Sequence, residues 1–126
     1  MSAEVTVDVV LRVLGEFDLD RLLQENTDIE LDSVWRRGEL PRRPHQCGFN
    51  KLLFGDLAPQ DAVRELALAL NKYRQVIQQL PPGSAQIDIG VFGVDSTCGV
   101  VLDSQTVALV AEMGLGLSFA YYPSAD

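Results

Sequence analysis

"VTVDVVLRVL", Val5 to Leu14, decides how the rest of this chain is read. Val5, Val7, Val9, Leu11 and Val13 fall on one face of an extended segment, with Thr6, Asp8, Val10 and Arg12 on the other. A period of two with one side wholly aliphatic marks a strand that buries one face of a sheet. Such a face needs a cover, and the chain supplies one. Pro59 suits the first turn of a helix, which has no use for the missing N–H. Val63, Leu66, Ala67, Leu70, Tyr73, Ile77 and Leu80 then recur at helical spacing as far as "LPPG". Strand and helix together predict a helix laid on a sheet.

The remaining elements follow by the same reasoning. Gly15 ends the first strand, and Asp18 caps a short helix over Leu19 to Asn26. Ile29, Leu31, Ser33 and Trp35 alternate in a second strand, and Phe49 to Phe54 form a third, closed by Gly55-Asp56. Ile87, Ile89 and Val91 alternate with Asp88, Gly90 and Phe92. "GVDSTCG" reads as a turn and "VVLD", Val100 to Asp103, as a brief strand. Asp103 or Ser104 caps a last helix, with Val107, Val110 and Ala111 inward and Gly114 as its left-handed terminator. Leu115, Leu117, Phe119 and Tyr121 face one way in the final strand, and Gly116, Ser118, Ala120 and Tyr122 the other. The order is β-α-β-β-α-β-β-α-β. It predicts an α+β protein with one mixed, mostly antiparallel sheet, helices on one face, and a ferredoxin-like core with an added unit. At 126 residues this is one domain.

Charge is unevenly placed. Ten basic residues face eighteen acids, a net charge of −8. Residues 16–32 hold seven acids and one base, Arg21, and Asp18, Asp20, Asp28 and Glu30 are among them. The next block, "SVWRRGELPRRPHQCG", carries Arg36, Arg37, Arg42 and Arg43 beside the only Trp and the only His. A surface so acidic repels a phosphate backbone, which argues against direct nucleic-acid binding and for a basic protein partner. The longest apolar stretch is interrupted by Glu112, Gly114 and Gly116, which excludes a membrane span. No basic n-region precedes an apolar segment, so a cytoplasmic location is expected.

Chemistry-bearing patterns are sparse. His45, Cys47 and Cys98 offer a close ligand pair at one end only, so no metal site is expected, and the two Cys are expected as free thiols. His45 and Cys47 lack an orienting third group for nucleophilic catalysis. His45 reads as a solvent-facing loop residue and Cys47 as a small, half-buried hydrophobe. The Gly-x-x-Gly and Gly-x-Gly fragments do not sit in a strand–turn–helix phosphate cradle, and no cofactor is expected. Alternation instead gathers Asp8, Asp88, Phe92 and Tyr122 on the sheet face away from the helices, over a floor of Gly90, Gly116 and Ala120. That face can dock a partner.

The layout resembles the bacterial domain-of-unknown-function family 4279. The resemblance rests on "VTVDVVLRVLGEFDLDRLL", the Arg37-Gly38-Glu39 turn, the long helix before "LPPG", and "GVVLDSQTVALVAEMGLGLSFAYYP". It implies a fold and carries no reaction or catalytic residue.

These features point to a small acidic non-catalytic binding protein, and most specifically to an immunity protein that inhibits a basic bacterial toxin. A small-ligand-binding or regulatory module using a cleft beside the arginine loop is the alternative. An enzyme is the third reading. Partner binding falls to Asp8, Asp88, Phe92, Tyr122, the acids Asp18, Asp20, Asp28 and Glu30, and the four arginines.

Overall fold

The described residues of the computed structural model are 5–93 and 100–123. Most of the turn expected over "GVDSTCG", Cys98 included, lies outside them. In chain order the elements are β1 (Thr6–Gly15), α1 (Leu19–Glu25), β2 (Ser33–Trp35), β3 (Cys47–Leu57), α2 (Pro59–Lys72), α3 (Arg74–Gln78), β4 (Ala85–Gly93), α4 (Ser104–Glu112) and β5 (Gly116–Pro123). The strands form one sheet in the order β2-β3-β1-β4-β5. β1 runs antiparallel to both β3 and β4, β2 antiparallel to β3, and β4 parallel to β5. The protein is therefore α+β with a mixed, mostly antiparallel sheet.

β1 occupies the centre because its aliphatic face is the most continuous in the chain. Val7, Val9, Leu11 and Val13 are all buried, as are Ile87, Ile89 and Val91 beside them on β4. Onto this face α1 contributes Leu19 and Leu22, α2 Ala62, Leu66 and Leu70, α3 Val76 and Ile77, and α4 Val110, all within one cluster. These side chains thus share one core on one face of the sheet.

Several boundaries differ from the sequence reading. The long helix divides at Tyr73, whose φ of −99° and ψ of 11° interrupt the ladder. At about 100° per residue, a straight helix would carry Val76 roughly 80° away from Leu66. The break turns α3 so that Val76 and Ile77 both reach the core. Val100 to Asp103 form no strand. Parallel neighbours such as β4 and β5 need a crossover, and this segment belongs to the crossover with α4, where no sheet edge is available to pair with. In α4, Val107 is 44% exposed and Ala111 is exposed, whereas Thr106 and Val110 turn inward. Only Ser33–Trp35 of the expected second strand pairs, while Ile29 and Leu31 pack at the rim of the core. β3–α2–α3–β4 straddles β1 as a split crossover, the unit found in ferredoxin-like cores. β4–α4–β5, with its adjacent parallel strands, extends the sheet beyond it.

The expected caps are formed. The Asp18 carboxylate accepts from the Arg21 N–H at 3.1 Å, and Asp103 accepts from the Thr106 N–H at 2.7 Å. Gly114 takes φ +71°, and the N–H groups of Gly114 and Leu115 close on the carbonyls of Ala111 and Val110. This double bond pattern satisfies two end carbonyls and drops buried Leu115 onto the core. The last residues of β3 are reached through a bulge. Leu57 pairs Val7 and Phe54 pairs Val9, so β3 carries an additional residue there.

Two stability tests follow from these contacts. A Cβ at Gly48 would lie 1.9 Å from the Val13 carbonyl oxygen, so Gly48→Ala must part β1 from β3. It should cost about 3 kcal/mol or more in denaturant unfolding. The Thr106 backbone N–H holds the Asp103 carboxyl below its ordinary 3.8. Its capping is therefore present above pH 3.8 and disappears as pH falls through the lower folded value. Asp103→Ala should melt earlier than the parent at neutral pH, with the gap closing in acid.

Candidate functional site

The face of the sheet opposite the helices carries the residues that alternation grouped together. On β1 and β4, Asp8 stands beside Gly90 and Val10 beside Asp88. On β4 and β5, Asp88 stands beside Ser118, Gly90 beside Ala120 and Phe92 beside Tyr122. These side chains line one shallow concavity of about 310 Å³, and no helix residue contributes to it. Leu52 of β3, opposite Val10, extends the apolar part of the face and is 43% exposed.

Small residues shape this surface. The Phe92 and Tyr122 rings stack with centroids 4.8 Å apart and 17° between planes. Both lean over Gly90, where an added Cβ would meet Tyr122 Cε2 at 3.2 Å and Phe92 Cε2 at 3.3 Å. Gly90 is thus the seat of the aromatic pair, and Tyr122 remains 49% exposed. A stacked aromatic pair with one ring half exposed, beside a small-residue floor, is suited to burying a partner's side chain.

The two acids on this face are held by the protein itself. Asp88 receives Arg12 Nε at 2.9 Å on one oxygen and Gln86 Nε2 at 2.6 Å on the other. Asp8 accepts the Asp56 N–H at 2.9 Å. Asp56 sits at φ +58°, the single non-glycine residue in the left-handed region among the described residues. Asp8 therefore pins the β3 bulge, and β3 continues to Leu57 where the sequence suggested a stop at Gly55-Asp56. Arg12 escaped notice as a site residue. Alternation places it on this face, but only the β1–β4 register sets it against Asp88.

The acidic block runs from the end of β1 through α1 to the start of β2. Glu16, Asp28 and Glu30 are exposed with no ion pair among the described residues. Asp32 reaches β3, where its carboxylate accepts the Leu52 N–H. Asp18 is occupied as a cap, and Asp20 pairs with Arg36 Nε at 3.4 Å. The arginine loop folds as consecutive turns, with Gly38 N–H bonded to the Pro44 carbonyl and Gln46 N–H to that of Arg43. Arg36 and Arg37 border a hollow of about 430 Å³ shared with Phe17, Asp18 and Asp20. Arg42 is exposed on the loop, and Arg43 lines a separate depression with Arg12 and Ser84. The loop and the open face therefore meet at Arg12, not at the aromatic pair.

Cys47 is fully buried, its Sγ 3.2 Å from the Phe17 carbonyl, and His45 is exposed. Among the described residues no group of three or more His, Cys, Asp or Glu is placed to hold a metal ion. Trp35 covers Gly48, and the Trp35 Nε1, Gln46 Oε1 and Asn50 Oδ1 atoms are buried without a hydrogen-bond partner. Trp35 and Asn50 share the open face through the registers Trp35–Gly48 and Arg12–Asn50. Nothing in their sequence spacing marks them, because the β2–β3 pairing alone brings them together. No described helix is long and apolar enough to cross a membrane.

No family model matches the chain, and no curated protein and no solved structure does either.

The bulge provides a direct test of the role of Asp8. Asp8→Ala should cost about 1–2 kcal/mol by freeing the Asp56 N–H. Asp56→Gly should remove the left-handed strain and recover part of that loss in the double variant. Chemical denaturation of the four proteins of this cycle measures both effects. Strict additivity would separate Asp8 from the bulge.

Proposed function

We propose that this chain is a non-catalytic binding protein whose open sheet face and acidic edge dock a basic protein, and more narrowly an immunity protein that occludes a toxin. One observation carries the reading. Among the described residues no helix residue lines the concavity of the face opposite the helices, where Phe92 and Tyr122 stack at the β4–β5 end, while the unpaired acids Glu16, Asp28 and Glu30 lie between β1 and β2. Apolar anchors flanked by charge of one sign are the arrangement used to recognise a partner of opposite sign.

The roles divide between the two regions. The stacked rings, of which Tyr122 is exposed, and the concavity beside Gly90 supply contact area at small entropic cost, since each ring has few torsions to fix. Asp28, Glu30 and Glu16 act at longer range by accelerating encounter with a cationic surface. Asp8 and Asp88 shape the face, and of the two only Asp88 has a cationic partner, Arg12. Arg12 and Arg43 bound it at the opposite end and disfavour a uniformly basic ligand there. Toxin occlusion would take place in the cytoplasm, where a newly made toxin must be silenced.

Charge reversal tests the electrostatic half of this reading without touching the fold. Asp18 and Asp20 are unsuitable, being a helix cap and an ion-pair member. The variant Asp28→Lys/Glu30→Lys should associate at least about tenfold more slowly with the basic protein captured from native cells at low salt. Raising the ionic strength should shrink that difference. Equal low-salt association rates for variant and parent, measured by surface-immobilised kinetics, would refute electrostatic docking.

A further inference from the structure

Cations are outnumbered in this chain, eighteen acids to ten basic residues, yet two arginines border one hollow together. Arg12 of β1 and Arg43 of the turn-rich loop line a concavity of about 310 Å³ with Gly83, Ser84 and Gln86. None of its described lining residues is acidic. Four other hollows of the surface each include two carboxylates among theirs. Ion pairing does not absorb the two charges either. Asp88 meets the Nε edge of Arg12 at 2.9 Å, and the Arg12 side chain remains 54% exposed. Arg43 is exposed, and its guanidinium has no ion pair or hydrogen bond among the described residues. One carboxylate thus answers two guanidinium groups, and the hollow keeps a positive excess.

The walls of the hollow are fixed by the backbone. The Arg43 N–H donates to the Leu40 carbonyl, and the Arg43 carbonyl accepts from the Gln46 N–H, each at 3.1 Å. On the other side the Ser84 hydroxyl donates to the Pro81 carbonyl at 2.6 Å. The Leu14 N–H donates to the Ser84 carbonyl at 2.8 Å, tying the turn before β4 to the end of β1. Gly83 stands in that turn at φ +78°, and a Cβ there would meet nothing within 4 Å. This wall therefore leaves room for a ligand, and little backbone has to be ordered when one enters.

We propose that the hollow is an oxyanion site, in which Arg43 and the terminal nitrogens of Arg12 grip a carboxylate or phosphate group. The guanidinium is a planar fork of donors that matches the paired oxygens of such groups. A concavity walled by one sign of charge concentrates the opposite ion. The acidic remainder of the surface repels anions, which leaves this hollow as the place where they can settle. Asp88 is the internal competitor. It neutralises part of Arg12, and the Gln86 amide at 2.6 Å on its other oxygen holds it in place. Its charge therefore acts on affinity in the opposite sense to that of Arg43. The site stands apart from the docking of a basic protein, and neither depends on the other.

The test is titration of the isotope-labelled full chain with inorganic phosphate and, separately, with sodium acetate. Both are followed by NMR at neutral pH, with ionic strength held constant by sodium chloride. Saturable shifts at Gly83, Ser84 and the Arg43 side chain are expected for at least one anion, with a dissociation constant of about 1–10 mM. The tighter anion names the group, phosphate a phosphoryl ligand and acetate a carboxylate one. Arg43→Gln should weaken that binding at least about tenfold, and Asp88→Asn should tighten it about threefold or more. Melting provides a second reading, in which the anion should raise the parent's Tm more than that of Arg43→Gln. The proposal is overturned by any of four results: no saturable shift with either anion up to about 50 mM, shifts that chloride reproduces, Arg43→Gln binding and melting as the parent does, or Asp88→Asn binding more weakly.

Discussion

Everything in this fold is arranged around the burial of the aliphatic face of β1. Val7, Val9, Leu11 and Val13 lie at the middle of the sheet and are excluded from water by Leu66 and Leu70 above and by β3 and β4 on either side. A strand whose two neighbours are both antiparallel to it, and whose one face is wholly apolar, has a single register that keeps every Val inward. A slip of one residue would bury Asp8 and Arg12 and expose the four aliphatics. The lateral position of every other strand is then measured from β1.

Covering one face commits the other to solvent, and the chain spends its polar groups accordingly. Asp8 holds a bulge, Asp88 and Arg12 neutralise each other across adjacent strands, and Asp32 ties the loop before β2 to β3. What stays unspent is distributed by edge. Unpaired acids lie between β1 and β2, and the uncharged strand β5 stands at one end of the strand order.

The sequence was most legible where period and burial coincide. The alternation in β1 and β4, the Asp18 and Asp103 caps and the Gly114 terminator are local, because each depends on residues within one turn or one pleat. The grouping of Asp8, Asp88, Phe92 and Tyr122 was legible too, since alternation assigns faces without knowledge of neighbours. How those acids are bonded was not legible. Their bonding partners, Arg12 and the Asp56 N–H, arrive from other strands and depend on register. The helix break at Tyr73 has no Pro or Gly to announce it, and results from the core's demand for both Val76 and Ile77. The missing strand at 100–103 and the outward turn of Val107 and Ala111 depend on how the β4–β5 crossover seats α4, which no residue pattern reports.

By itself the sequence determined which faces are apolar, where helices begin and end, and how strongly acidic the molecule is, because these depend on residue type at short separation. Only the tertiary structure decided the strand order, the partners of each carboxylate, and which aromatic residues remain uncovered. Those are set by contacts between residues tens of positions apart. Their pairing follows from how β1 fills the centre of the sheet, not from any local preference of the residues themselves.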